Sequence, residues 1–156
     1  MKILYICTHN RCRSILSEAI TNHIAGENIE AKSAGSQPAG EVHPLSLKYL
    51  QQEGFPINGL QSQSWDDFAD FHPDLVITVC DSAAGEACPL YFSDSIKVHW
   101  GLSDPSKVEG SSREQEQSFL ACISEIKTRA KQLNEIAIKK LSKTELKKAL
   151  TAIGVH

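Results

Sequence analysis

The chain has 156 residues, 41% hydrophobic and 22% charged, with 16 Lys plus Arg against 19 Asp plus Glu for a formal net charge of -3. That length suits one domain (1–156) with a buried core, and the balanced charge argues against nucleic acid as a partner. No apolar run nears the roughly 18 residues of a membrane span, and the start lacks a signal peptide's basic and apolar regions, so a cytoplasmic protein away from membranes is expected. In a reducing compartment, five cysteines point to catalysis, redox chemistry or metal binding rather than to a disulfide framework.

Lys2 to Ile6 is a short apolar run, and Ile15 to Ile24 repeats its apolar residues at helical spacing before Gly26 stops it. Ile29 to Ser33 alternates like a strand and is followed by the turn Ala34-Gly35-Ser36. Pro44, in first-turn position, opens a second helix carrying Leu45, Leu47, Tyr49 and Leu50 and ended by Gly54. Ser64 to Asp67 suits a capped helical turn, and Asp74 to Cys80 is the near-continuous β-branched run of a buried parallel strand. Asp81 to Ser95 is a long loop, and Ile96 to Trp100 a shorter strand. Ser111 and Ser112 with Glu114 and Gln115 make overlapping capping boxes for a helix with Phe119, Ile123, Ile126, Ala130 and Leu133 on one stripe. Cys122 beside that stripe reads as packing. Ser142 to Ile153 is a further short helix with a lysine-rich outer face, a tail (141–156) without an assigned task.

Strands alternating with helices predict an α/β fold with a parallel sheet, and a ligand outside the carboxyl ends of its strands. The stretch Cys7-Thr8-His9-Asn10-Arg11-Cys12-Arg13-Ser14 stands at such a place, between the first strand and the first helix. A loop entering a helix N-terminus collects unpaired N–H groups and the positive end of the helix dipole, which suits an oxyanion. Cys7 adds a nucleophile, expected to be largely ionised there, and Arg13 a fork that grips two oxygens. Ser14 has a hydroxyl to offer the thiolate, and Asn10 has groups with which to brace the loop. The plainer alternative is that Cys7 merely ends a buried strand.

Through Cys7, Asn10, Cys12, Arg13 and Ser14 the stretch resembles the anion loop of the low-molecular-weight protein tyrosine phosphatase superfamily, which includes a branch of arsenate reductases. The resemblance implies a phosphatase I-like three-layer α/β/α fold with a central four-stranded parallel sheet, and an oxyanion held by Thr8, His9, Asn10, Arg11, Cys12 and Arg13. His9 stands where glycine is usual and Arg11 where a small residue is common, giving a tighter, more positive entrance. Cys12 reads as packing or as a regulatory thiol. In the reductase branch a cysteine after the third strand and another before a proline relay electrons. Cys80 and Cys88-Pro89 match them, at a spacing one residue longer than in thioredoxin-coupled members. The plainer readings of that pair are a strand end with an incidental cysteine, or zinc, although close Cys-x2-Cys pairs are absent.

His99 to Pro105 resembles the branch's segment bearing the general acid on Asp-Pro, which would be Asp104; the alternative is an ordinary turn aspartate before proline. Some of these reductases bind potassium. Asn10, Glu18 and Ser33 are compatible, but Gln61 and Gln63 stand where threonine and aspartate are expected, so no specific potassium requirement and no other metal is predicted. The resemblance thus implies arsenate reduction by Cys7, Arg13, Ser14 and Asp104 with a relay through Cys80 and Cys88. Phosphate or sulfate would compete, no cofactor would be bound, and an external dithiol, thioredoxin or else glutathione with glutaredoxin, would be required. A tyrosine phosphatase and a noncatalytic oxyanion-binding or redox-sensing module are the rival readings.

Overall fold

The computed structural model describes residues 1–80, 92 and 94–152. Its centre is a parallel sheet of β1 (Lys2–Ile6), β2 (Glu30–Ala34), β3 (Leu75–Thr78) and β4 (Ile96–His99) in the order β2-β1-β3-β4. Helices α1 (Arg13–Ala25), α2 (Pro44–Gln52), α3 (Ser112–Ile138) and α4 (Lys143–Ala152) flank it. This is the α/β architecture expected from the alternating pattern. No described helix is long and apolar enough to cross a membrane.

The two inner strands are the most apolar, as strands covered on both faces must be. All of Leu75 to Thr78 is buried, and so are Ile3 to Ile6. The chain leaves β1 for β2 on one side and later places β3 on the other, so the order reverses between β1 and β3. In open parallel sheets such a switch point opens a crevice at the carboxyl ends of the strands. Ile6 pairs with Thr78 there, so Cys7 and Cys80 emerge next to each other.

Element boundaries moved by a few residues. The third strand stops at Thr78, earlier than the expected Cys80, though Val79 N–H still donates to Ile6 O at 2.9 Å and Leu102 N–H to Val79 O at 3.0 Å. The expected short turn is a 3₁₀ helix, Trp65–Phe68, with a capping box from Ser64 and Asp67. Helix α3 starts after Ser111, whose hydroxyl accepts Glu114 N–H at 3.2 Å, and outruns its apolar stripe at both ends. The final helix forms, with Leu146 and Leu150 buried. Most of the expected loop from Asp81 to Ser95, including Cys88, lies outside the described residues.

At the β2 edge the outward backbone needs partners. Asn22 of α1 supplies both: its Oδ1 accepts Ala31 N–H and its Nδ2 donates to Ala31 O, each at 2.9 Å. Asn22→Ala should lower stability by about 1 to 2 kcal/mol, because a donor and an acceptor on a buried residue lose their partners together. Urea unfolding measures it, and an unchanged midpoint would count against this role.

Candidate oxyanion site

The segment from Cys7 to Cys12 joins β1 to α1, and its carbonyls are bound from outside. Gln37 N–H donates to Thr8 O, Ala39 N–H to His9 O and His43 N–H to Arg11 O, all at 2.9 Å. The hydroxyls of Ser62 and Ser46 donate to His9 O at 3.1 Å and Arg11 O at 3.4 Å. With these C=O groups held outward, the Thr8 and His9 N–H groups serve the inner side. Thr8 N–H points at Cys80 Sγ, 3.4 Å away, and His9 N–H at the Cys7 sulfur. Cys12 precedes α1 and makes no side-chain cap, which leaves the helix N-terminus available to an anion.

Asn10 turns the loop. Its φ of 46° lies in the left-handed region, which asparagine tolerates better than most residues. Wholly buried, it donates from Nδ2 to Ser14 Oγ at 2.8 Å and accepts Gln63 N–H on Oδ1 at 2.7 Å. Ser14 Oγ thus accepts from Asn10 and keeps its own O–H to give. Gly35, read from sequence as a turn residue, does more: a Cβ there would stand 2.5 Å from Thr8 O and 2.8 Å from Cys7 O. Only glycine lets the strand after β2 pass so close beneath the loop. Sequence gave no signal for this, because close approach is a property of two separated segments.

Arg13 begins α1 and lines the same cleft as the loop. Nη1 donates to Leu102 O at 3.0 Å, and Nη2 lies 3.5 Å from Asp104 Oδ2. Nε is buried and without a hydrogen-bond partner among the described residues. An unspent buried donor beside inward N–H groups suits an anion with several oxygens. Cys7, Thr8, His9, Arg11, Cys12, Arg13, Cys80, Asp104 and Lys107 line one cleft of about 100 Å³. That space suits a small tetrahedral anion. A larger hollow of about 490 Å³, at the far end of the sheet among Asp74, Ile96 and Leu146, is lined by none of these residues.

The two relay candidates that are described meet. Cys7 and Cys80 are in thiol–thiol hydrogen-bond contact, and both are buried. That contact raises the Cys7 pKa most, burial adds to it, and Arg13 and the His9 N–H oppose it more weakly. The Cys7 pKa is therefore raised, against the sequence-based expectation of a lowered one. Two thiols in contact and shielded from water share one ionisation, since a second negative charge beside the first is disfavoured. Cys12 is pushed up to about 11, chiefly by burial, which fits packing better than regulation. Cys122 is pushed up to about 12 for the same reason, as suits its packing role.

Of the residues compatible with potassium, Glu18 accepts Ser33 Oγ at 2.6 Å, burial raises its pKa, and Asn10 Oδ1 is engaged by Gln63. Among the described residues no group of three or more His, Cys, Asp and Glu is placed to hold a metal ion.

A thiol in an anion loop at the switch point of a parallel sheet, with a forked cation and a carboxyl group across from it, defines a cysteine-based oxyanion site. The chain belongs to the low molecular weight phosphotyrosine protein phosphatase family, whose model matches residues 2–149 and so reaches into α4, further than the motifs indicated. It is 35% identical over 133 residues to an arsenate reductase of Halalkalibacterium halodurans, covering 85% of this chain and 94% of that one. An arsenate reductase of Bacillus subtilis is 32% identical over 135 residues, covering 86% and 96%. Among solved structures, a thioredoxin-dependent arsenate reductase of Corynebacterium glutamicum superposes with a TM-score of 0.69 at 31% identity, over 90% of this chain and 63% of that one. An arsenate reductase in a phosphate-binding state gives 0.72 at 25% identity, over 87% and 98%.

Two outcomes follow from this geometry. Gly35→Ala should weaken phosphate binding about tenfold or more, since displacing the loop backbone misaligns its donors; calorimetric titration with phosphate checks this, and wild-type affinity would contradict it. Cys80→Ala should move the pH midpoint of Cys7 alkylation downward, because it removes the largest influence raising that pKa. Iodoacetamide labelling followed by peptide mass mapping reads it. A midpoint unmoved or shifted upward would refute the proposed cause.

Proposed function

We propose that this protein reduces arsenate to arsenite with its own thiols, in the cytoplasm, and is recharged by an external dithiol. The observation that carries the reading is the contact between Cys7 and Cys80. A phosphatase needs Cys7 alone, and a second thiol against its nucleophile does nothing for hydrolysis. A reductase needs a thiol within reach of the Cys7 sulfur.

Arsenate sits in the loop, with its oxygens on the inward N–H groups and on Arg13. The arsenate dianion takes the Cys7 proton as it binds, the resulting thiolate attacks arsenic, and Asp104 protonates the oxygen that departs as water. Transfer of the Cys80 proton to an arsenic-bound oxygen supplies the second nucleophile. Cys80 attacks the Cys7 sulfur, a disulfide forms, the S–As bond breaks, and its electron pair stays with arsenic, which leaves as arsenite. The two sulfurs have given up the two electrons that arsenic gained.

Cys88 then attacks Cys80, releasing the Cys7 thiolate and moving the disulfide to Cys80–Cys88. Thioredoxin is the reductant we assign to that disulfide, in keeping with the thioredoxin-dependent enzyme among the similar structures. The chemistry calls for no bound metal or organic cofactor. Phosphate and sulfate, as tetrahedral anions, should compete with arsenate.

The relay is tested by two variants. Cys80→Ser should release no arsenite catalytically, whereas Cys88→Ser should complete about one turnover and stall as a Cys7–Cys80 disulfide, because the final exchange lacks its thiol. Arsenite yield per enzyme and disulfide mapping after one exposure to arsenate give the readout. Full turnover by both variants refutes the relay. Turnover only with glutathione and glutaredoxin moves the resolving thiol outside the chain, and phosphotyrosine cleavage without arsenite favours the phosphatase reading.

A further inference from the structure

The two oxygens of Asp104 have unequal surroundings. Oδ1 accepts two hydrogen bonds from one residue, Ser106 N–H at 2.9 Å and Ser106 Oγ–H at 2.6 Å, while Oδ2 lies 3.5 Å from Arg13 Nη2. The backbone bond is what an aspartate capping the turn Pro105–Lys107 ordinarily makes, and any residue but proline at 106 would supply it. The hydroxyl bond needs serine or threonine. At 2.6 Å it is a short O–H···O bond.

That second bond works against a competitor. Arg13 carries an unspent buried Nε–H and a planar fork that matches both oxygens of a carboxylate. If Asp104 turned both oxygens onto Arg13, the pair would neutralise each other, and the site would lose its anion grip and its proton donor together. Asp104 and Arg13 are each only 15% exposed, so water screens their attraction little. Ser106 holds one oxygen back.

We infer that Ser106 is a positioning residue for proton delivery, fixing Oδ1 so that Oδ2 faces the cleft and carries the transferable proton. The inference rests on the proposed role of Asp104 as the acid. Oδ1, accepting two donors, has its lone pairs engaged, whereas Oδ2 accepts only the longer 3.5 Å contact from Arg13 Nη2 and keeps room for the hydrogen. In the first step the Cys7 electron pair forms the S–As bond and an As–O bond breaks. The Oδ2 proton goes to the departing oxygen, water leaves, and Asp104 remains as a carboxylate on the same Ser106 donors. No atom changes oxidation state there.

The test compares Ser106→Ala, Ser106→Thr and Asp104→Asn in arsenate turnover with excess reductant. Ser106→Ala keeps the backbone bond and the turn, so kcat should fall about tenfold with KM nearly unchanged, part of the roughly 10²- to 10⁴-fold that an acid supplies. Ser106→Thr, which restores the hydroxyl, should recover most of the loss. A wild-type kcat in Ser106→Ala, a rise in KM matching the fall in kcat, or a threonine variant no better than alanine would each overturn the inference. Asp104→Asn separates the two layers. If it is slow while Ser106→Ala is not, the acid stands and the positioning role fails; if it is as fast as wild type, the acid itself is misassigned and the inference goes with it.

Discussion

The pairing of β1 with β3 is the constraint on which the rest depends. Because Ile6 lies opposite Thr78 in a parallel ladder, both chains leave the sheet at one level and in one direction. Cys7 and Cys80, far apart in sequence, are thereby brought into contact without either strand being distorted. A one-residue slip would turn every side chain of the strand to the other face and separate the thiols. Close packing on the two covered faces holds the register, since slippage would move each side chain into a space shaped for another.

Around that contact the protein divides the labour between backbone and side chains. The segment from Gln37 to His43 takes up the carbonyls of the loop, and Asn10, in a left-handed turn, ties the loop to Ser14 and Gln63. Gly35 allows the two segments to approach. What remains inside is donors: N–H groups, the α1 N-terminus and Arg13. Such an arrangement favours negative charge at little reorganisation cost, because the dipoles are already oriented.

The same contact sets the electrostatics. A buried pair of thiols shares one ionisation, so holding Cys80 against Cys7 raises the cost of a free Cys7 thiolate while placing the second thiol where it can attack. Arg13 and the His9 N–H work the other way. An enzyme that only hydrolysed would gain from the lower pKa alone; the arrangement seen here suits a reaction that needs two sulfurs in turn.

Strand and helix periods and the loop Cys7 to Ser14 were legible in the chain because each is a local pattern: apolar spacing, and a nucleophile and a cation at a helix start. From these came the α/β class and the anion loop, while the roles of Asp104, Cys80 and Cys88 came from the family resemblance. Contact between Cys7 and Cys80, the resulting rise in the Cys7 pKa, the tie of Ser14 to Asn10, the need for glycine at 35 and the hold of Ser106 on one oxygen of Asp104 were decided elsewhere. Most of these depend on segments far apart in the sequence, and all depend on distances that spacing along a chain does not encode. Periodicity states which face of an element is buried, but only the folded register states what that face meets.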